Sequence, residues 1–68
     1  MSNEIIKFGK KVNEIRLKKN MPQGDIARIL DAHRSYISSL ERGVRNPSLL
    51  TVQKVAKALG VNSKEIIE

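Results

Sequence analysis

The tightest constraint on this chain is the stretch Asp31-Ala32-His33, which separates two short segments that each carry an apolar stripe. Gln23 to Leu30 places Ile26, Ala27 and Leu30 on one face, and about Arg34 to Arg42 does the same with Ile37 and Leu40. Apolar residues three and four apart mark one side of a helix. A connection this short admits only a tight turn, so the two helices must cross steeply and bury their stripes together. Ala27 supplies the small side chain that close approach requires. Asp31 tolerates the turn's unusual dihedrals, though glycine takes them at less cost.

The remaining punctuation yields three more helices. From Glu4 to about Lys19, apolar residues fall at Ile5, Phe8, Val12 and Ile15, in steps of three, four and three. Asn20-Met21-Pro22 ends that helix, because the residue before a proline avoids the helical region. Gly43 follows the third helix as a left-handed terminator, and Val44 to Ser48 is a loop. A fourth helix covers Leu49 to Leu59, with Val52, Val55, Ala56 and Leu59 inward and Gly60 at its end. Asn62-Ser63-Lys64-Glu65 has the form of a capping box and opens a last short helix carrying Ile66 and Ile67. No segment alternates as a strand would. The expected class is all-α, five helices in a single domain over residues 1–68, with a helix-turn-helix at about 23–42.

A chain of 68 residues is near the lower limit of what folds alone, and this one has no cysteine. Its lone histidine, His33, has no partner ligands, so neither a disulfide nor a metal is expected to staple the fold, and no cofactor is expected. With aromatics at only 3%, the core must be aliphatic. No nucleophile–base pair or phosphate-binding glycine loop is present, which argues against an enzyme. No apolar run approaches the roughly 20 residues that span a bilayer. Met1-Ser2-Asn3-Glu4 lacks the regions of a signal peptide, so a soluble cytoplasmic protein is expected. The net charge of +6, from 13 Lys+Arg against 7 Asp+Glu, suits a polyanionic partner such as nucleic acid. Ordinary solvated lysines are the alternative.

The run Gln23-Gly24-Asp25-Ile26-Ala27-Arg28-Ile29-Leu30, followed by Arg34-Ser35-Tyr36-Ile37-Ser38-Ser39-Leu40-Glu41-Arg42-Gly43, resembles the phage-repressor/Cro (XRE-type) helix-turn-helix family. Arg45-Asn46-Pro47-Ser48-Leu49 and Val55-Ala56-Lys57-Ala58-Leu59-Gly60-Val61 extend the likeness over roughly residues 7–67. His33-Arg34-Ser35-Tyr36-Ile37-Ser38 is similar to the small controller proteins of restriction–modification systems. The resemblance implies a compact five-helix bundle of the lambda-repressor-like type. It also implies a transcriptional regulator that binds double-stranded DNA as a homodimer, with the third helix in the major groove. A protein-interaction module that kept the fold, antitoxin-like or scaffolding, is the alternative. The chain departs from the family at Pro22, where a capping Ser or Thr is usual, at Gly24 in place of Glu, and at Asp31 in place of the turn glycine.

Individual residues follow from chemistry and from the resemblance. Arg34 can bond O6 and N7 of guanine with its planar guanidinium, or hold a phosphate. Ser35 and Ser39, four apart, are expected on the same exposed face, as base contacts or as small residues that let the helix approach. Tyr36 either offers its hydroxyl to a phosphate or braces the helix half-buried. His33 either caps the third helix or touches a phosphate. The resemblance implies a phosphate contact for Gln23 at the start of the second helix, aided by that helix's N-terminus. It places Arg45 and Asn46 beside the DNA backbone, with a solvated turn as the alternative. It also implies a buried ion pair between Arg16 and Glu41 that ties the first helix to the third. Leu50 with Ile66 or Ile67 is the expected dimer surface.

Overall fold

The computed structural model describes residues 3–67; Met1 and Ser2, read above against a signal peptide, and Glu68 lie outside the described residues. Five helices follow one another among the described residues: α1 (Asn3–Lys18), α2 (Gln23–Leu30), α3 (Arg34–Glu41), α4 (Leu49–Leu59) and α5 (Lys64–Ile67). The all-α class and the helix-turn-helix pair are therefore as the periodicity predicts. Helix ends differ from that prediction by one residue in α1 and α3, where Arg42 is the cap rather than the last turn.

The first four helices stop by one device. After each comes a residue with positive φ, namely Asn20 and Asp31 at 55° and Gly43 and Gly60 at 74°. The next amide then reaches back to close a final loop: Met21 to the Arg16 carbonyl, Ala32 to Ala27, Val44 to Ser39 and Val61 to Ala56, all between 2.8 and 3.1 Å. This left-handed cap satisfies carbonyls that a helix end otherwise leaves bare. Asp31 thus performs the turn that glycine performs elsewhere. Helix starts are less uniform. Ser48 Oγ accepts from the Thr51 amide at 3.1 Å. Asn62 Oδ1 accepts from the Lys64 amide and Glu65 Oε2 from the Asn62 amide, completing the capping box before α5. Pro22 and His33 sit at the caps of α2 and α3 without a side-chain bond.

The apolar stripes converge on a single buried cluster of Phe8, Val12, Ile26, Ala27, Ile37, Leu40, Val52, Val55, Ala56, Leu59 and Ile66. Ile66 is fully buried while Ile67 remains 52% exposed, which resolves the choice between them that periodicity left open. Leu49 and Leu50 are also exposed.

Gly9 is the contact that hydrophobic periodicity did not reveal. It is buried, and α1 crosses the end of α3 there with backbone against backbone. A Cβ at Gly9 would meet the Leu40 carbonyl oxygen and stand 2.7 Å from that of Glu41. At Gly24, by contrast, a Cβ would meet nothing within 4 Å. Gly9→Ala is therefore expected to destabilise the fold by about 2 kcal/mol or more, because backbone cannot yield as a side chain can. Gly24→Ala is expected to stabilise it by up to about 1 kcal/mol through helix propensity. Urea unfolding midpoints read both; a tolerated Gly9→Ala would contradict the close crossing.

Candidate nucleic-acid interface

The site is organised by a carboxylate at the end of α3. Glu41 Oε2 accepts from Arg16 Nε at 2.6 Å, and Glu41 Oε1 accepts from Arg16 Nη2 at 3.0 Å. Oε1 also accepts from Asn13 Nδ2 at 2.9 Å and from Gln23 Nε2 at 3.1 Å. Arg16 Nη1 donates onward to the Met21 carbonyl at 2.8 Å. The ion pair between Arg16 and Glu41 is thus present and nearly dry, with the two side chains 10% and 6% exposed. It joins α1 to α3, and through Gln23 it reaches α2.

Burial alone pushes the Glu41 carboxyl up, but the bonds from Arg16, Asn13 and Gln23 and the charge of Arg16 outweigh it and hold the group below the ordinary carboxylate range. The bond to Glu41 raises Arg16 in turn, against the opposing effect of burial.

With its C-terminal end held this way, α3 turns its N-terminal end outward. Arg34 and Ser35 are exposed, and His33 stands exposed just before them. Tyr36 is half-buried against the core, and the Arg45 guanidinium lies over its ring, 5.6 Å from the centroid. This geometry suits a cation–π contact. The ring therefore braces α3 and at the same time holds Arg45 beside it. Ala32, His33, Ser35, Tyr36, Ser39 and Arg45 line one surface depression.

Three expected contacts are placed differently from one another. Ser39 lines the same depression as Ser35 but is only 8% exposed, and its Oγ donates to the Tyr36 carbonyl at 2.7 Å. Helical spacing does put the two serines on one side. The chain returning after Gly43 is pinned by the Val44 amide to the Ser39 carbonyl, and Arg45 lines the same depression as the two serines. Asn46 is exposed and lines a different groove, with Glu4, Ile5, Phe8, Pro47, Val52 and Ile67. His33 does not cap α3 with its side chain.

Asn13 escaped the sequence reading. Its signal was available: it lies three residues before Arg16, on the polar flank of the α1 stripe. No cluster of His, Asp and Glu among the described residues could hold a metal ion, and no described helix is long and apolar enough to cross a membrane.

Residues 12–66 match the family described as Helix-turn-helix. The control protein C.BamHI of Bacillus amyloliquefaciens is 50% identical over 70 residues, spanning all of this chain and 86% of that protein. Among solved structures, the restriction–modification controller protein C.AhdI from Aeromonas hydrophila superposes with a TM-score of 0.89 at 35% identity, over 96% of this chain and 98% of that one. A tetramer of the controller protein C.Esp1396I in complex with its natural 35 base-pair operator matches with a TM-score of 0.85 at 32% identity, over the full length of both chains.

The depressed Glu41 carboxyl makes stability depend on acid. A carboxyl with a lowered folded value stabilises the fold above its unfolded value and loses that contribution as pH falls through the folded one. Unfolding free energy should therefore be level near neutrality and decline as pH drops below the ordinary carboxylate range. Glu41→Gln should cost about 3 kcal/mol at neutral pH, because Arg16 is left buried with an uncharged partner, and should flatten the acid decline. Urea titrations at several pH values measure both effects.

Proposed function

This chain belongs to the helix-turn-helix family of DNA-binding transcriptional regulators, which are not enzymes, and from that premise we infer that it is a sequence-specific regulator that reads a palindromic operator as a homodimer. The observation that carries this reading is the arrangement of α3. Its C-terminal end is anchored by Glu41, while its N-terminal end presents Arg34 and Ser35 to solvent beside the Arg45 that Tyr36 holds. In helix-turn-helix proteins the first residues of the recognition helix meet the base edges in the major groove. Arg34 is assigned to a base, with guanine the natural match for its two parallel donors. Ser35 lets the helix approach and can bond a base or sugar. Arg45, Gln23 and His33 are assigned to phosphates, and Tyr36 to holding Arg45. Ser39 and Asn46 are left out of the proposed contacts.

A single recognition helix reads few base pairs, so two-fold pairing is the economical route to specificity. The exposed Leu49, Leu50 and Ile67, at the start of α4 and the end of α5, supply an apolar surface for a second copy. The similar C.Esp1396I bound to its operator as a tetramer supports assembly on DNA. A regulator that acts on DNA is expected to work in the cytoplasm, at the nucleoid.

Selection from a random duplex library tests the reading. A palindrome with half-sites about one helical turn apart is expected, and Arg34→Ala should relax preference at one position in each half-site. If the dimer neutralises about eight phosphates, log affinity should fall with log salt at a slope near −7. Retention of no duplex even at low salt would overturn the reading.

A further inference from the structure

The bond from Gln23 to Glu41 joins two things the fold could have kept apart. Gln23 opens α2 and is the residue assigned above to a DNA phosphate, whereas Glu41 closes α3 and is held by α1. We propose that Glu41 is a positioning residue for DNA binding: its carboxylate orients the Gln23 amide so that the remaining N–H of Nε2 faces a phosphate oxygen. The inference rests on the reading of Gln23 as a phosphate contact.

A primary amide is nearly symmetric in shape but opposite in chemistry at its two ends. A glutamine free to rotate presents its carbonyl outward as readily as its nitrogen, and a carbonyl repels a phosphate, which only accepts hydrogen bonds. A carboxylate also only accepts. Turning the Gln23 amide over would set two acceptors 3.1 Å apart, so Glu41 selects the orientation with nitrogen inward. One Nε2 hydrogen is then committed and the second remains for an outside acceptor.

Glu41 is itself immobile. Asn13 Nδ2 and the Nε and Nη2 of Arg16 fix its two oxygens from α1. Arg16 also cancels its charge, so the carboxylate does not repel the phosphate it helps to bind. One carboxylate therefore sets both the seat of the base-reading helix and the aim of the phosphate clamp.

A double-mutant cycle on DNA affinity tests this, using the selected duplex with wild type, Gln23→Ala, Glu41→Gln and the double variant. Each protein is measured where circular dichroism shows it folded. Gln23→Ala is expected to weaken binding about ten-fold or more per half-site, the worth of one hydrogen bond to a charged group. Glu41→Gln should weaken it clearly more when Gln23 is present than when Ala stands at 23, the loss common to both backgrounds being that of the α3 seat. An equal loss in both backgrounds would overturn the positioning role while leaving the phosphate contact standing. Unchanged affinity for Gln23→Ala would overturn the phosphate contact and the inference with it, and failure of the wild type to bind any duplex would overturn the DNA-binding reading itself. If Glu41→Gln does not fold, the wild-type Gln23 Nε2 protons supply the test by NMR. One proton should stay shifted by Glu41 while the other moves when duplex is added; both moving together, or neither, would overturn the proposal.

Discussion

A buried carboxylate met by four side-chain donor bonds is the interaction on which the remainder of the molecule depends. Removing two charges from water is costly, and their attraction repays that cost only when geometry is good and the remaining lone pairs are satisfied. Here they are satisfied: among the described residues no buried side-chain nitrogen or oxygen lacks a partner. The network sits one to two turns along α1 from Gly9, where the α1 backbone lies directly on the last carbonyls of α3. Contact and charge thus act on the same end of α3. Apolar packing alone would hold α3 against the core but would set its tilt less sharply. The carboxylate and the Gly9 crossing together fix which end of that helix is buried and which is offered to solvent.

Function is a consequence of that polarity. An eight-residue helix has little surface to spare. With Ile37 and Leu40 inward and Glu41 tied to α1, what remains outside is the first turn, with Arg34 and Ser35. The loop after Gly43 then folds back so that Arg45 lies over Tyr36, adding a cation to the same side. In the proposed complex the excess of basic residues would supply attraction at a distance, and these few placed groups would supply register.

Much of this was legible because it is governed by local rules. Stripes at helical spacing located the helices, and Gly43, Gly60 and Asp31 fell where left-handed caps were expected. The capping box at Asn62 and Glu65 formed as its spacing requires. What escaped depends on elements distant in sequence. Gly9 reads as a weak helix residue until α3 is laid across it. Ser39 shares a helical face with Ser35, and only the tertiary structure shows that one is buried and the other open. Asn46 follows Arg45 directly, yet the two line different depressions. The role of Gln23 was expected toward DNA alone; its inward bond to Glu41 required three helices to be in place.

The central claim is that α3 enters the major groove with Arg34 on a base edge, and dimethyl sulfate interference on the selected duplex tests it most directly. The reagent methylates guanine N7 in the major groove and adenine N3 in the minor groove, so one experiment distinguishes the two. The predicted result is loss of binding when guanine N7 is methylated, in two clusters about one helical turn apart. Interference confined to adenine N3, or at no base at all, would contradict it.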